Sequence, residues 1–347
     1  MKKSTQLSLL LALCLIAGCS YYLTSIKISE KRYNKVMCYY SARSVTDGAR
    51  NFKEKIIRLR DFVNENTASI SDYYNRLDTC AIEKLITGIA WCDQQARVFM
   101  QLARSMGITT RLLFLRNKEG FSPHSVAEAL TPDGRWIIVD PAYKLDLIRK
   151  DGFCAGQADI KENPNIISRN KRVCLRAKYE SRWAEADYLS IYSNPPRYVI
   201  TKNGVEYDFL KFIPRVILRP IVRIINTKYL KQIKPKMASP YEFEFIKART
   251  LHLLEYYTES AALYDDIISG SSDILLKDKA EFYKAVLLKD QKKYKEAFEH
   301  IDGIILRGED NPYYGYLLGL RARILEKVGR PLEAEENLKS AEYNLEI

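Results

Sequence analysis

The sequence predicts an α+β domain, with helices packed on an antiparallel sheet, followed by an all-helical repeat domain. Three observations carry this. Helical apolar spacing early in the chain gives way to three consecutive strand-like runs, the order expected when helices and an antiparallel sheet segregate. Small residues recur 37 positions apart near the C-terminus, at Ala248, Ala285 and Ala322. The chain also has 347 residues, 47% hydrophobic and 28% charged, which is enough for two packed units and too apolar for disorder.

The N-terminus reads first. Lys2 and Lys3 precede the uncharged run Leu7 to Ala17, the layout of a secretory signal. The run ends in Ile16-Ala17-Gly18-Cys19. These four residues resemble a bacterial lipobox, which implies lipidation at Cys19, a lipid bilayer as partner, and a place in the bacterial cell envelope. Ser20 after the cysteine, by resemblance to Gram-negative lipoproteins, points to the outer membrane facing the periplasm. The competing reading is an uncleaved anchor over Leu7 to Ile26. On the first reading residues 1–18 are signal peptide. Residues 19–45 are then a tether, polar and tyrosine-rich, with room for some helix.

Residues 46–200 form the predicted α+β domain. Phe52, Ile56, Ile57, Leu59, Phe62 and Val63 have near-helical spacing, predicting a helix from about Asp47 to Glu65. A short helix follows over Ala81 to Thr87. The next begins at Cys92, with Ala96, Phe99, Met100, Ala103 and Met106 on one face and Gly107 where a capping glycine belongs. Strands are predicted over Thr110 to Arg116, Ser125 to Leu130 and Trp136 to Val139. Thr131-Pro132-Asp133-Gly134 between the last two has turn chemistry. Residues 146–200 are weakly patterned and read as an extension pinned by a disulfide.

Residues 201–240 are a basic amphipathic linker. Arg215, Arg219 and Arg223 alternate with apolar residues, a pattern shared by membrane-surface helices and by helices packed between domains. The linker is the favoured reading. Residues 241–347 hold the repeat. Ser260, Ala297 and Ala334 also recur every 37 residues, as do Tyr264, Ile301 and Leu338. This looks like three divergent tetratricopeptide-type helical hairpins, whose usual period is about 34. Such arrays offer a concave surface to a protein partner.

Lysine and arginine total 55 against 43 acids, a formal charge of +12. No zinc-finger spacing, Gly-rich phosphate loop or RNA-binding aromatic signature accompanies the excess, so no nucleic acid and no cofactor are expected. With Cys14 removed and Cys19 lipidated, five cysteines remain in an oxidising compartment. Two disulfides among Cys38, Cys80, Cys154 and Cys174 are expected, Cys154 with Cys174 being the nearer pair, and Cys92 is left free.

Cys92 sits at a helix mouth, where unpaired N–H groups and the helix dipole favour a thiolate. A nucleophile there needs a base, and His124 is the sole histidine before the repeats. Strand alternation turns His124, Val126 and Glu128 to one face. Asp140 ends the next strand, where a carboxylate is costly without a partner and can orient the imidazole.

The segments Gly88-Ile89-Ala90-Trp91-Cys92-Asp93-Gln94-Gln95-Ala96, Met106-Gly107-Ile108-Thr109-Thr110-Arg111, His124-Ser125-Val126-Ala127-Glu128 and Trp136-Ile137-Ile138-Val139-Asp140-Pro141 resemble, in order, the bacterial transglutaminase-like (papain-like cysteine) superfamily. The resemblance implies a papain-type α+β domain with Cys92 as nucleophile, His124 as base and Asp140 as orienter. It implies acyl transfer on a protein or peptide amide, with a protease or amidase favoured over cross-linking. The chain departs from the family at Ala90, often glycine, at Ser125, often alanine, and at Val126, often aromatic. The rival expectation is a non-catalytic envelope assembly protein whose repeats bind a protein partner.

Overall fold

Ser29 and Asn51 start the first two helices by accepting hydrogen bonds from the backbone N–H groups of Arg32 and Glu54, which satisfies donors that a helix start leaves open. The helices are α1 (Glu30–Thr46) and α2 (Phe52–Asn66). The structure is a computed structural model and describes residues 27–68, 80–168, 191–192, 196–204, 210, 212–237, 239–308 and 310–344. Cys19 with the signal and start of the tether, and Cys174, lie outside the described residues.

α1 corrects the tether reading. Residues 30–45 are helix, and Tyr33, Met37, Cys38, Tyr39, Tyr40 and Ala42 are buried in the main core. α3 (Ala81–Thr87) and α4 (Cys92–Ser105) follow. Leu85, Ala96, Phe99, Met100 and Ala103 join the same core. Gly107 ends the turn after α4 at φ 81°, a conformation glycine adopts without a Cβ penalty.

The sheet has four antiparallel strands in the order β3-β2-β1-β4. These are β1 (Thr110–Leu115), β2 (His124–Leu130) and β3 (Trp136–Val139), followed after the short helices α5 (Gln157–Glu162) and α6 (Asn165–Ser168) by β4 (Arg197–Lys202). Alternation splits β1, β2 and β3 between two apolar layers. Leu112, Ala127, Ala129, Ile137 and Val139 face the α1–α4 core. Leu113, Leu115, Val126 and Ile138 face a second cluster with Leu147, Ile160, Ile167 and Tyr192. The described residues of the weakly patterned segment, Leu147, Ala155, Ile160, Ile166, Ile167, Ile191 and Tyr192, are therefore part of an apolar cover on the outer sheet face. The disulfide pin is not formed: Cys38, Cys80, Cys92 and Cys154 are free thiols. Cys38 points into the helical core and Cys154 packs beside it, so each is spent on packing.

α7 (Arg215–Ile233) runs through Pro220 without ending. Pro220 is its sixth residue and has no N–H for the Val216 carbonyl, so the helix continues with one of its interior bonds missing. Six helices form three antiparallel hairpins: α8 (Pro240–Leu253) with α9 (Tyr257–Gly270), α10 (Ile274–Asp290) with α11 (Tyr294–Ile305), and α12 (Tyr314–Lys327) with α13 (Pro331–Asn344). Ser260 donates to the Ala248 carbonyl at 2.8 Å, so the small residues of the repeat mark where paired helices approach closely. The 37-residue period reaches the backbone as well. Glu255, Lys292 and Gly329 hold the same turn position with φ 64°, 60° and 82°.

The linker arginines face inward between the two units. Arg215 pairs with Glu255 and Asp47. Arg219 donates to the carbonyls of Leu254 and Glu255, and Arg223 pairs with Glu259. Glu255 also accepts from Tyr40 and Ser44 of α1.

Candidate active site

Trp91 has extended backbone at the cap of α4, and its N–H donates to Gln94 Oε1 at 3.0 Å. Gln95 Nε2 donates to the Ala90 carbonyl at 3.0 Å. These two glutamines, both buried, hold the two residues ahead of the helix so that Cys92 occupies its first position. The helix start directs backbone N–H groups toward the same opening.

The approach segment is also gripped from the repeat domain. Gly88 has φ 71° and caps α3. Ala68 N–H donates to the Gly88 carbonyl at 2.8 Å, and Ala90 N–H returns a bond to the Ala68 carbonyl at 3.0 Å. Tyr283 of α10 donates its hydroxyl toward the carbonyls of Gly88 at 3.0 Å and Asn66 at 3.3 Å. Beneath it, fully buried Arg249 reaches the Leu85 carbonyl at 2.7 Å and Asn66 Oδ1 at 3.1 Å, with its guanidinium 3.7 Å from the Tyr283 ring centroid.

β2 opens with His124, buried at the mouth of α4. Its Nε2 lies 2.8 Å from Asp140 Oδ2. That bond leaves Nδ1 as the ring nitrogen for Cys92: it makes no hydrogen bond of its own, and the thiol and the ring are electrostatically coupled. The Ser125 N–H also stabilises the sulfur. Asp140 is fully buried and accepts two further bonds, from the Tyr192 hydroxyl at 2.7 Å and the Tyr143 N–H at 3.0 Å. The Tyr143 ring stacks on the imidazole at 4.3 Å.

The electrostatics follow from this packing. Burial opposes ionisation of Cys92, but the hydrogen bond and charge of His124 outweigh it and lower the thiol's pKa. Burial likewise opposes an imidazolium at His124, and Asp140 overrides it, raising that pKa. Asp140 itself is held below the usual carboxylate range, because His124, Tyr143 and Tyr192 outweigh its desolvation. The set favours a thiolate–imidazolium pair.

Residues 40–141 match the family model of the transglutaminase-like superfamily. No curated protein and no solved structure matches the chain. The match runs from within α1 to Pro141, and Cys92, His124 and Asp140 all fall inside it.

The structure thus brings the three residues singled out in the sequence to one place. The two other histidines do not supply an alternative. In the transglutaminase-like domain His124 keeps an open ring nitrogen, whereas His252 has Asp290 on Nε2 at 3.0 Å and Arg249 on Nδ1 at 3.2 Å. His300 Nε2 bonds the Glu281 carbonyl. Tyr143 and Tyr192 are additions. Tyr143, three residues past Asp140, has a turn signal in Pro141. Tyr192 comes from the weakly patterned segment and has none.

The thiols give a direct check. Cys38 is raised well above its ordinary pKa, first by burial, and burial also raises Cys80 and Cys154. Timed alkylation of the native protein at neutral pH should label Cys92 first, by about tenfold or more over Cys38, read by peptide mapping. Equal rates would contradict the electrostatics described.

Proposed function

We propose that this chain is a cysteine acyl-transfer enzyme acting on amide bonds of protein or peptide, tethered to the membrane of a bacterial cell envelope through Cys19. The observation that carries the chemistry is the Cys92–His124–Asp140 chain of contacts at a helix start. Cys92 thiolate attacks the amide carbonyl. The oxyanion meets backbone N–H groups at the mouth of α4. His124 passes its proton to the leaving amine, and Asp140 keeps the ring oriented as charge comes and goes. The thioester then passes to water, regenerating the thiol and releasing an acid, or to a second amine. Hydrolysis, as protease or amidase, is the favoured branch. Half-exposed Trp91, beside the nucleophile, offers an aromatic surface to the acyl side of a peptide. The repeats add a surface for a protein partner.

A thiol-directed amide-mimic probe should label the wild-type protein, fail on Cys92→Ala and label His124→Ala roughly 10²–10⁴-fold more slowly. Undiminished labelling of His124→Ala would contradict the proposal. Acyl mass on the N-terminal peptide, lost with membrane association in Cys19→Ala, tests the tether separately. The non-catalytic alternative predicts that Cys92→Ala replaces the wild-type gene without phenotype.

A further inference from the structure

The three arginines of α7 face the protein, so the outward face of that helix is made of other residues. Val216, Pro220 and Ile224 follow one another at four-residue spacing, with Ile217 alongside and Phe212 just before the helix. Phe212 and Val216 are 78% and 79% exposed, Ile217 and Ile224 52% and 40%. Other large exposed apolar residues, such as Phe121, Ile274 and Leu306, are scattered singly among distant elements. A contiguous apolar stripe is the feature that calls for a partner.

The last third of α7 changes character. Lys231 is exposed there, as are Lys234 and Lys236 in the 3-10 turn that follows Ile233. This is also where the described chain begins. Tyr33 stacks on Tyr229 at 3.9 Å and donates to Asn226 at 2.8 Å, which lays the start of α1 against the end of α7. That start adds exposed Lys31, Arg32 and Lys35. Across residues 27–36 and 227–237 the only acid is Glu30.

The two halves of the face fit one environment. Residues 1–26 contain the apolar run Leu7 to Ala17 and lead directly into this basic corner. From Cys19 to Lys27 the chain spans at most about 3.5 Å per residue, so a bilayer that holds the N-terminus is within short reach of α7. No helix among the described residues is long and apolar enough to cross a membrane. An apolar stripe with flanking cations is the composition of a helix lying in the plane of an anionic membrane surface. We propose that α7 docks on the bilayer that anchors the chain, with Phe212, Val216, Ile217 and Ile224 among the acyl chains and the lysines of both helix ends on anionic headgroups. This fixes the orientation of the whole body on the membrane. It rests on the membrane attachment proposed above and is independent of the Cys92 chemistry.

The test uses the full chain reconstituted into vesicles of zwitterionic and anionic phospholipid, with and without brominated acyl chains. Phe212→Trp, Val216→Trp and, as a control on an exposed site of the repeats, Leu306→Trp are compared with the parent after flotation. Bromine should quench the added fluorescence about twofold or more at positions 212 and 216 and leave position 306 unaffected. Replacing Lys231, Lys234 and Lys236 by Glu should weaken quenching at position 212. Flotation with equal quenching at 212 and 306 overturns the docking while attachment stands. Failure to float overturns both. Chemical cross-linking between copies through position 216, without quenching, would assign the face to a second copy and overturn the proposal. Unchanged circular dichroism and Cys92 alkylation confirm that each variant is folded.

Discussion

Asp140→Asn should lower Cys92 alkylation and amide-probe turnover roughly 10²–10⁴-fold at neutral pH while leaving the fold in place. The argument is electrostatic. Asp140 is the group that raises His124 against its burial, and protonated His124 is the group that lowers Cys92. A reactive thiolate exists above the lowered Cys92 pKa, and its imidazolium partner persists below the raised His124 pKa. Between those limits reactivity is flat. An amide in place of the carboxylate removes the charge behind both shifts. The lower limb of the pH profile should therefore move up and the upper limb move down, closing the window from both sides. Tyr143 N–H and the Tyr192 hydroxyl bond different carboxylate oxygens; in Asn the oxygen can keep the Tyr143 N–H while the amide donates to the rotatable Tyr192 hydroxyl, so unfolding midpoints should change little. A pH profile unaltered by Asp140→Asn would sink this account of the triad.

Gly88→Ala should destabilise the protein by about 2–5 kcal/mol, combining the left-handed penalty with overpacking. Gly88 has φ 71°, and a Cβ built there would lie 1.7 Å from the Tyr283 hydroxyl oxygen. The methyl group would force apart α3 and α10, breaking the bonds that Tyr283 makes to the approach segment. Cys92 reactivity should fall with stability, because Ala90 and Trp91 set the cap of α4. Denaturant unfolding of a double-mutant cycle separates the causes. In a Tyr283→Ala background the overpacking part disappears and only the backbone part remains. Wild-type stability and reactivity in Gly88→Ala would refute the grip described.

Much of this site could be read from residue order. Cys92, His124 and Asp140 each end or begin an element whose pattern is local: an amphipathic helix closed by Gly107, and two strands joined by a Pro-Asp-Gly turn. The repeats were legible for the same reason, since small residues recur where helix pairs touch. What stayed hidden depends on partners distant in the chain. The buried face of α1 is built of Tyr, Met, Cys and Ala, residue types that are inside or outside according to what covers them, here α4 and α7. β4 becomes a strand by pairing with β1 across a bulge. Cys38, Cys80 and Cys154, expected to cross-link, are instead held within apolar packing, which cysteine counting does not register. Arg249 looks like any surface charge until Asn66, Leu85 and Tyr283 surround it.

That enclosure of Arg249 bears on modularity. The nucleophile belongs to one half of the chain, yet the floor under its approach segment belongs to the other, and Glu65 of α2 meets Lys289 and Arg323 of the repeats in the same seam. Swapping the C-terminal half for a foreign array, or cutting the chain at 240, would strip a buried tyrosine and arginine from the segment that presents the thiol. The two halves are separable in the alphabet of the sequence but joined in the fold as a single working part, so a change on one side of the seam should need an answering change on the other.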